Sequence, residues 1–292
     1  MTAKGTASRR TGRDLPAATA PAADPLRQLL AQRRPLVMGV LNVTPDSFSD
    51  GGRFLDPQTA IAHAQRLVAE GADILDIGAE STRPYGNAVR VARDEERARL
   101  APVLPAVTAL GIPVSIDTLK ADVAAWALGA GATIVNDVWG LQGDPAMARV
   151  VAEHGVPVIV MHNRDSADPA IDIIADVTDF FRRSLDIAAR AGIARDRIVL
   201  DPGIGFGKTA EQSMACIARL EAFREFGLPL LVGASRKRFI DTVVPSEPAE
   251  RLGGSLAAHL LATENGAAIV RVHDVAPTVQ ALAVAAAIRH AR

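Results

Sequence analysis

The sequence predicts a single (β/α)8 TIM barrel of the α/β class, preceded by a short N-terminal extension that we expect to be disordered. Eight short apolar runs rich in β-branched residues alternate with eight longer amphipathic segments along the chain. The runs are continuously apolar, as parallel strands buried on both faces require. Residues 34–292 show no break in composition, and a barrel of this kind usually takes about 250 residues. A doubly wound sheet is the alternative architecture with the same alternation.

The extension covers residues 1–33, and the barrel domain covers residues 34–292. The extension is rich in Ala, Pro, Thr and Arg, and its first apolar cluster is formed by leucines between 26 and 30. We therefore expect a flexible segment with one short helix at 25–33. The Arg9-Arg10 pair resembles an export signal, but Asp14 and Pro16 stand where such a signal needs an apolar stretch.

The predicted elements follow in strict alternation from residue 36 onward. The strands are predicted at 36–41, 73–78, 113–117, 133–138, 157–162, 198–201, 229–233 and 268–273. The helices are predicted at 57–70, 94–110, 120–130, 145–154, 173–191, 209–225, 248–265 and 276–290. Asp144-Pro145 is a typical helix start, and Gly155 and Gly192 are typical helix ends.

The charge and cysteine content exclude several classes of function. The chain has 32 basic and 33 acidic residues, so no global field attracts it to nucleic acid or to an anionic membrane. No apolar run approaches the roughly 18 residues of a membrane span. The only cysteine, Cys216, excludes an internal disulfide and favours a reducing cytoplasm.

Polar side chains lie at the ends of all eight predicted strands, where barrel enzymes carry their active sites. In chain order they are Asn42, segment 80–82, Asp117, Asn136, segment 161–163, Asp201, segment 235–237, Arg271 and His273. Two-residue alternation places several of them on the same side as the apolar residues that would fill the barrel, and so at its mouth. A strand-end carboxylate often caps the next helix, but a full ring of polar residues exceeds what capping explains.

These residue types favour a site with two parts. Asp117, Asn136 and Asp201 offer acceptors for a flat heterocycle with a guanidine-like edge, because a carboxylate accepts two parallel N–H bonds. Arg271 and His273, with the Ser/Gly-rich segment 47–52, favour an anion such as phosphate. Asn42 offers a hard oxygen to Mg²⁺ that also binds phosphate oxygens and water.

The sequence lacks several common functional motifs. The glycine-rich segment 203–209 lacks the glycine spacing of a nucleotide loop, and zinc and nucleophile-elbow motifs are absent. Cys216 and His259 stand in apolar helical stretches, so we expect both to be core residues.

Seven segments, in family order, closely resemble the signatures of dihydropteroate synthases. The first is 38–52 (MGVLNVTPDSFSDGG), and the second is 77–84 (IGAESTRP). The others are 114–118 (VSIDT), 134–137 (IVND), 200–208 (LDPGIGFGK), 233–237 (GASRK) and 271–274 (RVHD). The resemblance spans about residues 36–290, and the motifs are specific as a set.

The resemblance implies a pterin-binding TIM barrel that condenses 6-hydroxymethyl-7,8-dihydropterin diphosphate with para-aminobenzoate, giving 7,8-dihydropteroate and diphosphate. The family's mechanism is a dissociative displacement, in which diphosphate leaves before the amine attacks. The resemblance also implies a transferase of folate biosynthesis that uses Mg²⁺, in a protein that is usually a homodimer. The Ala-rich helix 276–290 is the expected dimer contact.

The resemblance also assigns roles to individual residues. Its catalytic residues are Asp117, Lys237, Arg271 and His273, and its metal ligand is Asn42. The pterin is gripped by Asp117, Asn136, Asp201 and Lys237, with Arg271 flanking it. The remaining substrate contacts are Thr82 and His273 at the diphosphate, Met161 in the pocket, and Pro84, Phe206 and Ser235 near the aminobenzoate. The segments 44–53 and 81–90 would close over the site and be poorly ordered without ligands.

Four positions depart from the commonest family pattern: Ala79, Tyr85, Asn163 and Ala234. None removes a polar ligand, although Tyr85 resists backbone angles that the usual glycine permits. Two alternatives remain: a pterin-dependent methyltransferase of the same fold, and a paralogue that binds pterin without synthase activity. A methyltransferase does not need the 38–52, 233–237 and 271–274 motifs, and an inactive paralogue would not retain them.

Overall fold

Eight parallel strands close into a barrel in chain order, as the sequence predicts. The computed structural model describes residues 24–44, 56–80 and 91–291. The strands are β1 (Leu36–Asn42), β2 (Ile74–Gly78), β3 (Val114–Asp117), β4 (Ile134–Asp137), β5 (Val158–Met161), β6 (Ile198–Asp201), β7 (Leu230–Val232) and β8 (Ala267–Val272). Pairing of β1 with β8, where Leu36 lies opposite Ile269, closes the cylinder and excludes the doubly wound alternative.

The helices surround the barrel, and all eight predicted helical segments contain one. They are α1 (Pro25–Leu30), α2 (Pro57–Ala69), α3 (Arg93–Leu100), α4 (Leu104–Thr108), α5 (Ala121–Gly129), α6 (Met147–His154), α7 (Ile173–Ala191), α8 (Ala210–Ala218), α9 (Arg238–Val243), α10 (Leu252–Glu264) and α11 (Val275–His290). Short 3-10 helices occupy Arg195–Arg197, Leu220–Phe226 and Pro248–Glu250.

Strict one-to-one alternation of strands and helices is wrong in detail. The predicted helix 94–110 is two helices, α3 and α4, because Pro102 lacks the N–H that a continuous helix would use. The predicted segments 209–225 and 248–265 each divide into an α-helix and a 3-10 helix. The six-residue α9 was not predicted, because it is too short to show helical periodicity.

Two apolar cores follow from the two-residue alternation of the strands. One residue set points outward and packs against the helices, with Leu41, Leu75 and Val160 among its buried members. The other set fills the lower half of the barrel. Its members are Leu36, Met38, Ile74, Ile134, Ile159, Val199, Leu231 and Ile269. Above this core, the same side of the strands carries Asp76, Asn136, Asp201 and Arg271, which therefore point into the upper half of the barrel.

Helix α1 closes the lower end of the barrel. The side chain of Asp24 accepts the backbone N–H of Arg27 at 3.1 Å, and this bond caps the helix start. Leu26 is only 2% exposed and belongs to the inner apolar core. The prediction of a short helix within 25–33 is confirmed, and this leucine anchors the helix to the lower end of the barrel. Residues 1–23 lie outside the described residues.

Over the described ranges, none of the helices combines the length and apolar character needed to cross a membrane.

Candidate active site

The carboxyl ends of the strands surround an open cavity. Predicted site residues from six different strand ends line it together with apolar residues. The complete lining is Asp117, Asn136, Val138, Met161, Asp201, Ile204, Phe206, Gly233, Lys237 and Arg271. The structure therefore brings together Asp117, Asn136 and Asp201 with Arg271, as the strand alternation predicts.

Arg271 is held inside the barrel by two carboxylates. Its Nε donates to Asp76 Oδ2 at 2.6 Å, and its Nη2 donates to Asp117 Oδ2 at 2.8 Å. Asn136 Nδ2 donates to the same Asp76 oxygen at 3.1 Å. Together these contacts join β2, β3, β4 and β8 across the cavity floor, so the arginine orients the acceptors as well as contributing charge.

Asp76 is a site residue that the sequence reasoning missed. It is fully buried in the middle of β2, next to Val40 on one side and Ser115 on the other. A signal was present, because Asp76 alternates with Ile74 of the inner core and so must point into the barrel. A carboxylate in the middle of an apolar strand is costly unless it is paired, and Arg271 provides that pairing.

Three buried acceptors on the cavity floor lack a hydrogen-bond donor among the described residues. They are Asp76 Oδ1, Asp117 Oδ1 and Asn136 Oδ1. A buried polar atom without a partner costs about 1–3 kcal/mol, so native proteins rarely retain several close together without a reason. A ligand that presents a row of N–H groups would satisfy those of Asp117 and Asn136, which line the cavity.

Burial raises the pKa values of the carboxylates around the cavity. Burial raises the pKa of Asp201 to about 6, although the Gly203 N–H at 2.8 Å and the charge of Lys237 oppose the shift. Burial also raises the pKa of Asp117, against the attraction of Arg271. Burial lowers the pKa of Arg271, but Asp76 and Asp117 outweigh it and leave the pKa above its usual value. A ligand that donates hydrogen bonds to these carboxylates would therefore stabilise their charged forms.

One wall of the cavity is apolar. Val138, Met161 and Phe206 form a small buried cluster, with Leu119 and Trp139 packed against it. Lys237 Nζ lies 4.0 Å from the centroid of the Phe206 ring, which is a cation–π contact. An aromatic ligand can lie against this wall with a cation at its edge.

The turn after β7 places Ser235 beside His273. His273 Nδ1 lies 3.0 Å from Ser235 Oγ, which also accepts the His273 backbone N–H at 3.2 Å. Arg236 adopts a left-handed backbone with φ of 57°, and its guanidinium donates to both oxygens of Asp274. Arg236 is thereby tied to the barrel rim, and its neighbour Lys237 lines the cavity.

Asn163, one of the departures from the family pattern, joins two loops at the rim. Its Nδ2 donates to the carbonyl of Val138 at 3.0 Å, and its Oδ1 accepts the backbone N–H of Arg164 at 2.8 Å. Cys216 and His259 are both buried, as predicted for core residues. His259 Nε2 accepts the Ala234 N–H at 3.1 Å.

Asn42 stands at the mouth of the barrel, at the exposed end of β1. The described part of the chain holds no cluster of three His, Cys, Asp or Glu side chains that would bind a metal alone. One amide oxygen fits Mg²⁺ only where phosphate oxygens and waters complete the shell. Thr82, Pro84 and Tyr85 lie outside the described residues, as do nearly all of the two segments expected to close over the site.

Residues 38–273 match the family model described as pterin binding enzyme. The chain is 48% identical over 245 residues to the dihydropteroate synthase of Bacillus subtilis, and the alignment covers 84% of this chain and 85% of the relative.

Two solved structures share the fold. One is a dihydropteroate synthase from Clostridium difficile in the presence of pteroic acid, with a TM-score of 0.83 and 47% identity. It covers 88% of this chain and 97% of its own. The other is a Xanthomonas albilineans dihydropteroate synthase with 4-aminobenzoic acid, with a TM-score of 0.83 and 46% identity. It covers 88% of this chain and 93% of its own.

Proposed function

Because the chain belongs to the dihydropteroate synthase family of pterin binding enzymes, we propose that its cavity condenses a dihydropterin diphosphate with para-aminobenzoate. The chain is a transferase of folate biosynthesis, and its products are 7,8-dihydropteroate and diphosphate. Neither alternative is favoured: the relatives reported above are synthases, and Asp117, Asn136, Asp201 and Lys237 all line one cavity.

The row of buried acceptors without donors is the observation that carries this function. A pterin presents an amide N–H and an amino group on one edge, which matches the free oxygens of Asp117 and Asn136 and the carboxylate of Asp201. Arg271 is fixed by Asp76 and Asp117, so it flanks the ring and does not move to meet it. Lys237 supplies a further donor at the edge of the ring.

The second substrate belongs at the apolar wall. The Xanthomonas relative binds 4-aminobenzoic acid, and the wall formed by Phe206 and Met161 offers this chain an apolar surface for the same ring. Ser235 and the ammonium group of Lys237, which lies over the Phe206 ring, suit its carboxylate. Pro84 completes this group of residues by resemblance.

The reaction depends on side chains that stabilise developing charge and does not need a nucleophilic side chain. When diphosphate leaves, positive charge develops on the methylene carbon and spreads into the pterin ring, and Asp117 stabilises it from the floor. Arg271 would offset the negative charge of the departing diphosphate, and His273 and, by resemblance, Thr82 would donate hydrogen bonds to it. The nitrogen lone pair of para-aminobenzoate then forms the C–N bond along the apolar wall, and the proton that the nitrogen loses passes to water.

Asn42 would hold Mg²⁺ together with diphosphate oxygens. The ion would supply charge that stabilises the leaving group. This role suits an exposed amide at the mouth of the barrel and needs no site built of protein ligands alone.

We also propose a homodimer that works in the cytoplasm. Helices α10 and α11 expose Leu261, Val284 and Ile288, and Val284 and Ile288 stand one turn apart on the same face of α11. Such a patch supports self-association. The only cysteine is buried and free, which suits a reducing compartment.

A product assay tests the function. Purified protein with Mg²⁺, the dihydropterin diphosphate and para-aminobenzoate is expected to form dihydropteroate, and omission of either substrate is expected to abolish the product. Asp201→Asn is expected to lose activity at least about a hundredfold, because it removes a charged acceptor. Asp196→Asn, at the opposite end of the barrel, serves as control. Intact substrates with the wild-type protein would refute the proposal.

A further inference from the structure

We infer that Lys208 is a positioning residue that holds the loop between β6 and α8 in the shape that presents Asp201 and Phe206 to the substrates. This inference rests on the proposed function. Lys208 does not line the cavity, and its side chain is 1% exposed beneath the loop.

The ammonium group of Lys208 ties the loop together from below. Its Nζ donates to the carbonyl of Gly203 at 2.9 Å and to the carbonyl of Phe206 at 3.1 Å. The same Nζ lies 2.6 Å from His162 Nδ1, at the end of β5. One cation therefore fixes both ends of the turn 203–206 and joins this turn to the neighbouring strand.

The contact with Gly203 reaches the substrate-binding carboxylate. Lys208 fixes the Gly203 carbonyl, and the N–H of the same residue donates to Asp201 Oδ1 at 2.8 Å. Gly203 has φ of 65°, and a Cβ at this position would lie 2.0 Å from the His162 carbonyl oxygen. The turn is therefore pressed against β5 with little freedom, and Lys208 determines which way its peptide groups point.

The contact with Phe206 sets the aromatic wall. The carbonyl of this residue accepts from Lys208, and its ring faces the cavity with Lys237 Nζ 4.0 Å from the ring centroid. A Cβ on Gly205 would lie 3.2 Å from Lys237 Cδ, so the turn also packs against that side chain. Movement of the turn would thus displace both the wall and the cation above it.

A chain of partners holds Lys208 in place. His162 Nε2 lies 3.0 Å from Asp176 Oδ2, and Arg164 Nη1 donates to Asp176 Oδ1 at 2.9 Å. Burial, followed by the charge of Lys208, lowers the pKa of His162 to about 3, so the ring is neutral. A neutral ring that accepts from Lys208 at Nδ1 must carry its proton at Nε2 and donate it to Asp176.

A buried ammonium is costly to retain, which argues that its hydrogen bonds serve a purpose. Burial lowers the pKa of Lys208 to about 8, while Cys216, Asp201 and Asp176 oppose this shift and Arg164 adds to it. A methionine has similar length and would fill the same space without a charge. The loop carbonyls would then lose their donor.

The test compares Lys208→Met with Cys216→Ala, which alters packing beside Lys208 but removes none of these hydrogen bonds. We expect Lys208→Met to raise the KM for para-aminobenzoate and the Kd for the dihydropterin diphosphate about tenfold each, with kcat reduced less than about threefold. Cys216→Ala is expected to keep both constants near wild type. Constants for Lys208→Met within about twofold of wild type, or equal changes in both variants, would overturn the inference.

A second measurement uses the wild-type protein and decides the matter if Lys208→Met does not fold. The ¹⁵N spectrum of the His162 ring is expected to show a neutral ring protonated at Nε2 throughout the physiological pH range. A ring protonated at Nδ1, or one that titrates near its ordinary pKa, would rule out the Lys208 bond. An inactive wild-type enzyme would instead refute the proposed function, and the inference with it.

Discussion

At the residue scale, Asp76 bonds to both Arg271 and Asn136 and so determines the arrangement of the cavity floor. Arg271 comes from β8 and Asp76 from β2, and the two meet only because the barrel closes between β1 and β8. An arginine that loses one of its two carboxylates inside the barrel keeps its desolvation cost but loses half of its pairing.

We therefore expect Asp76→Ala to lower the free energy of unfolding by about 3 kcal/mol, because it leaves Arg271 only partly paired. Urea denaturation measures this change. The control is Asp196→Ala, which removes an exposed ion pair with Arg27 and is expected to change stability little. Similar losses in the two variants would show that the Arg271 network does not stabilise the floor.

The raised pKa of Asp201 predicts pH-dependent binding. Below its pKa of about 6, Asp201 carries a proton and can no longer accept two N–H bonds from the pterin edge. The affinity for the dihydropterin is therefore expected to fall about tenfold per pH unit below that value and to level off above it. Calorimetry between about pH 5 and about pH 8 measures the profile. Asp201→Asn should bind weakly and lose the part of this dependence that Asp201 contributes, while the part due to Asp117, whose pKa burial also raises, should persist. A profile identical to that of the wild type would assign the titration to Asp117.

Much of the floor was predictable residue by residue. Two-residue alternation placed Asn136 and Arg271 in the barrel, since Ile134 and Ile269 of the inner core stand two positions earlier. Asp117 shares its side of β3 with the buried Ser115. Asp76 was not predicted because it stands in the middle of β2, whereas the site residues were sought among the polar residues that follow each strand. The glycine spacing of segment 203–209 argued against a nucleotide loop and so against a phosphate-binding role for Lys208. The bonds of Lys208 to the loop carbonyls depend on how the turn folds back onto β5, which the spacing of residues in the sequence does not reveal.

At the scale of elements, α1 shows how a short terminal helix can belong to the core. The apolar cluster of leucines predicted the helix itself, yet its docking depends on the open lower end of the barrel, which exists only after the strands have closed. The inner core of strand residues leaves that end apolar, and Leu26 covers it.

Leu26→Ala is expected to lower the free energy of unfolding by about 2–4 kcal/mol, because it opens a cavity under the inner core. Gln28→Ala changes an exposed position on the same helix and should have little effect. Thermal or urea unfolding distinguishes the two. If both variants unfold like the wild type, α1 does not contribute to barrel stability.

Helix boundaries were harder to predict than strand boundaries. The strands ended within a residue of their predicted positions because burial on both faces gives each strand a continuous, largely apolar run. The predicted helix 94–110 ran through Pro102 because its apolar spacing continues on both sides of the break between α3 and α4. The missing N–H of Pro102 therefore decided where the helix ends, although the apolar spacing predicted a continuous helix.

At the scale of the whole molecule, the exposed apolar side chains on α10 and α11 allow the proposed homodimer to be tested. We expect Ile288→Glu, at a position 61% exposed, to shift the protein from dimer to monomer in sedimentation velocity. Val243→Glu, at a position 63% exposed on α9, is the matched control and should leave the dimer intact. A monomeric wild type, or dissociation by the control alone, would exclude this face as the interface.

The central claim is that the closed barrel gathers acceptors from separate strands into one binding surface for a pterin edge. A crystal structure of the protein with a dihydropterin ligand tests it most directly. We predict that the amide and amino groups of the ring lie within hydrogen-bond distance of Asp117, Asn136 and Asp201, against the wall formed by Phe206. A ring that binds elsewhere, or that leaves those oxygens without donors, would contradict it.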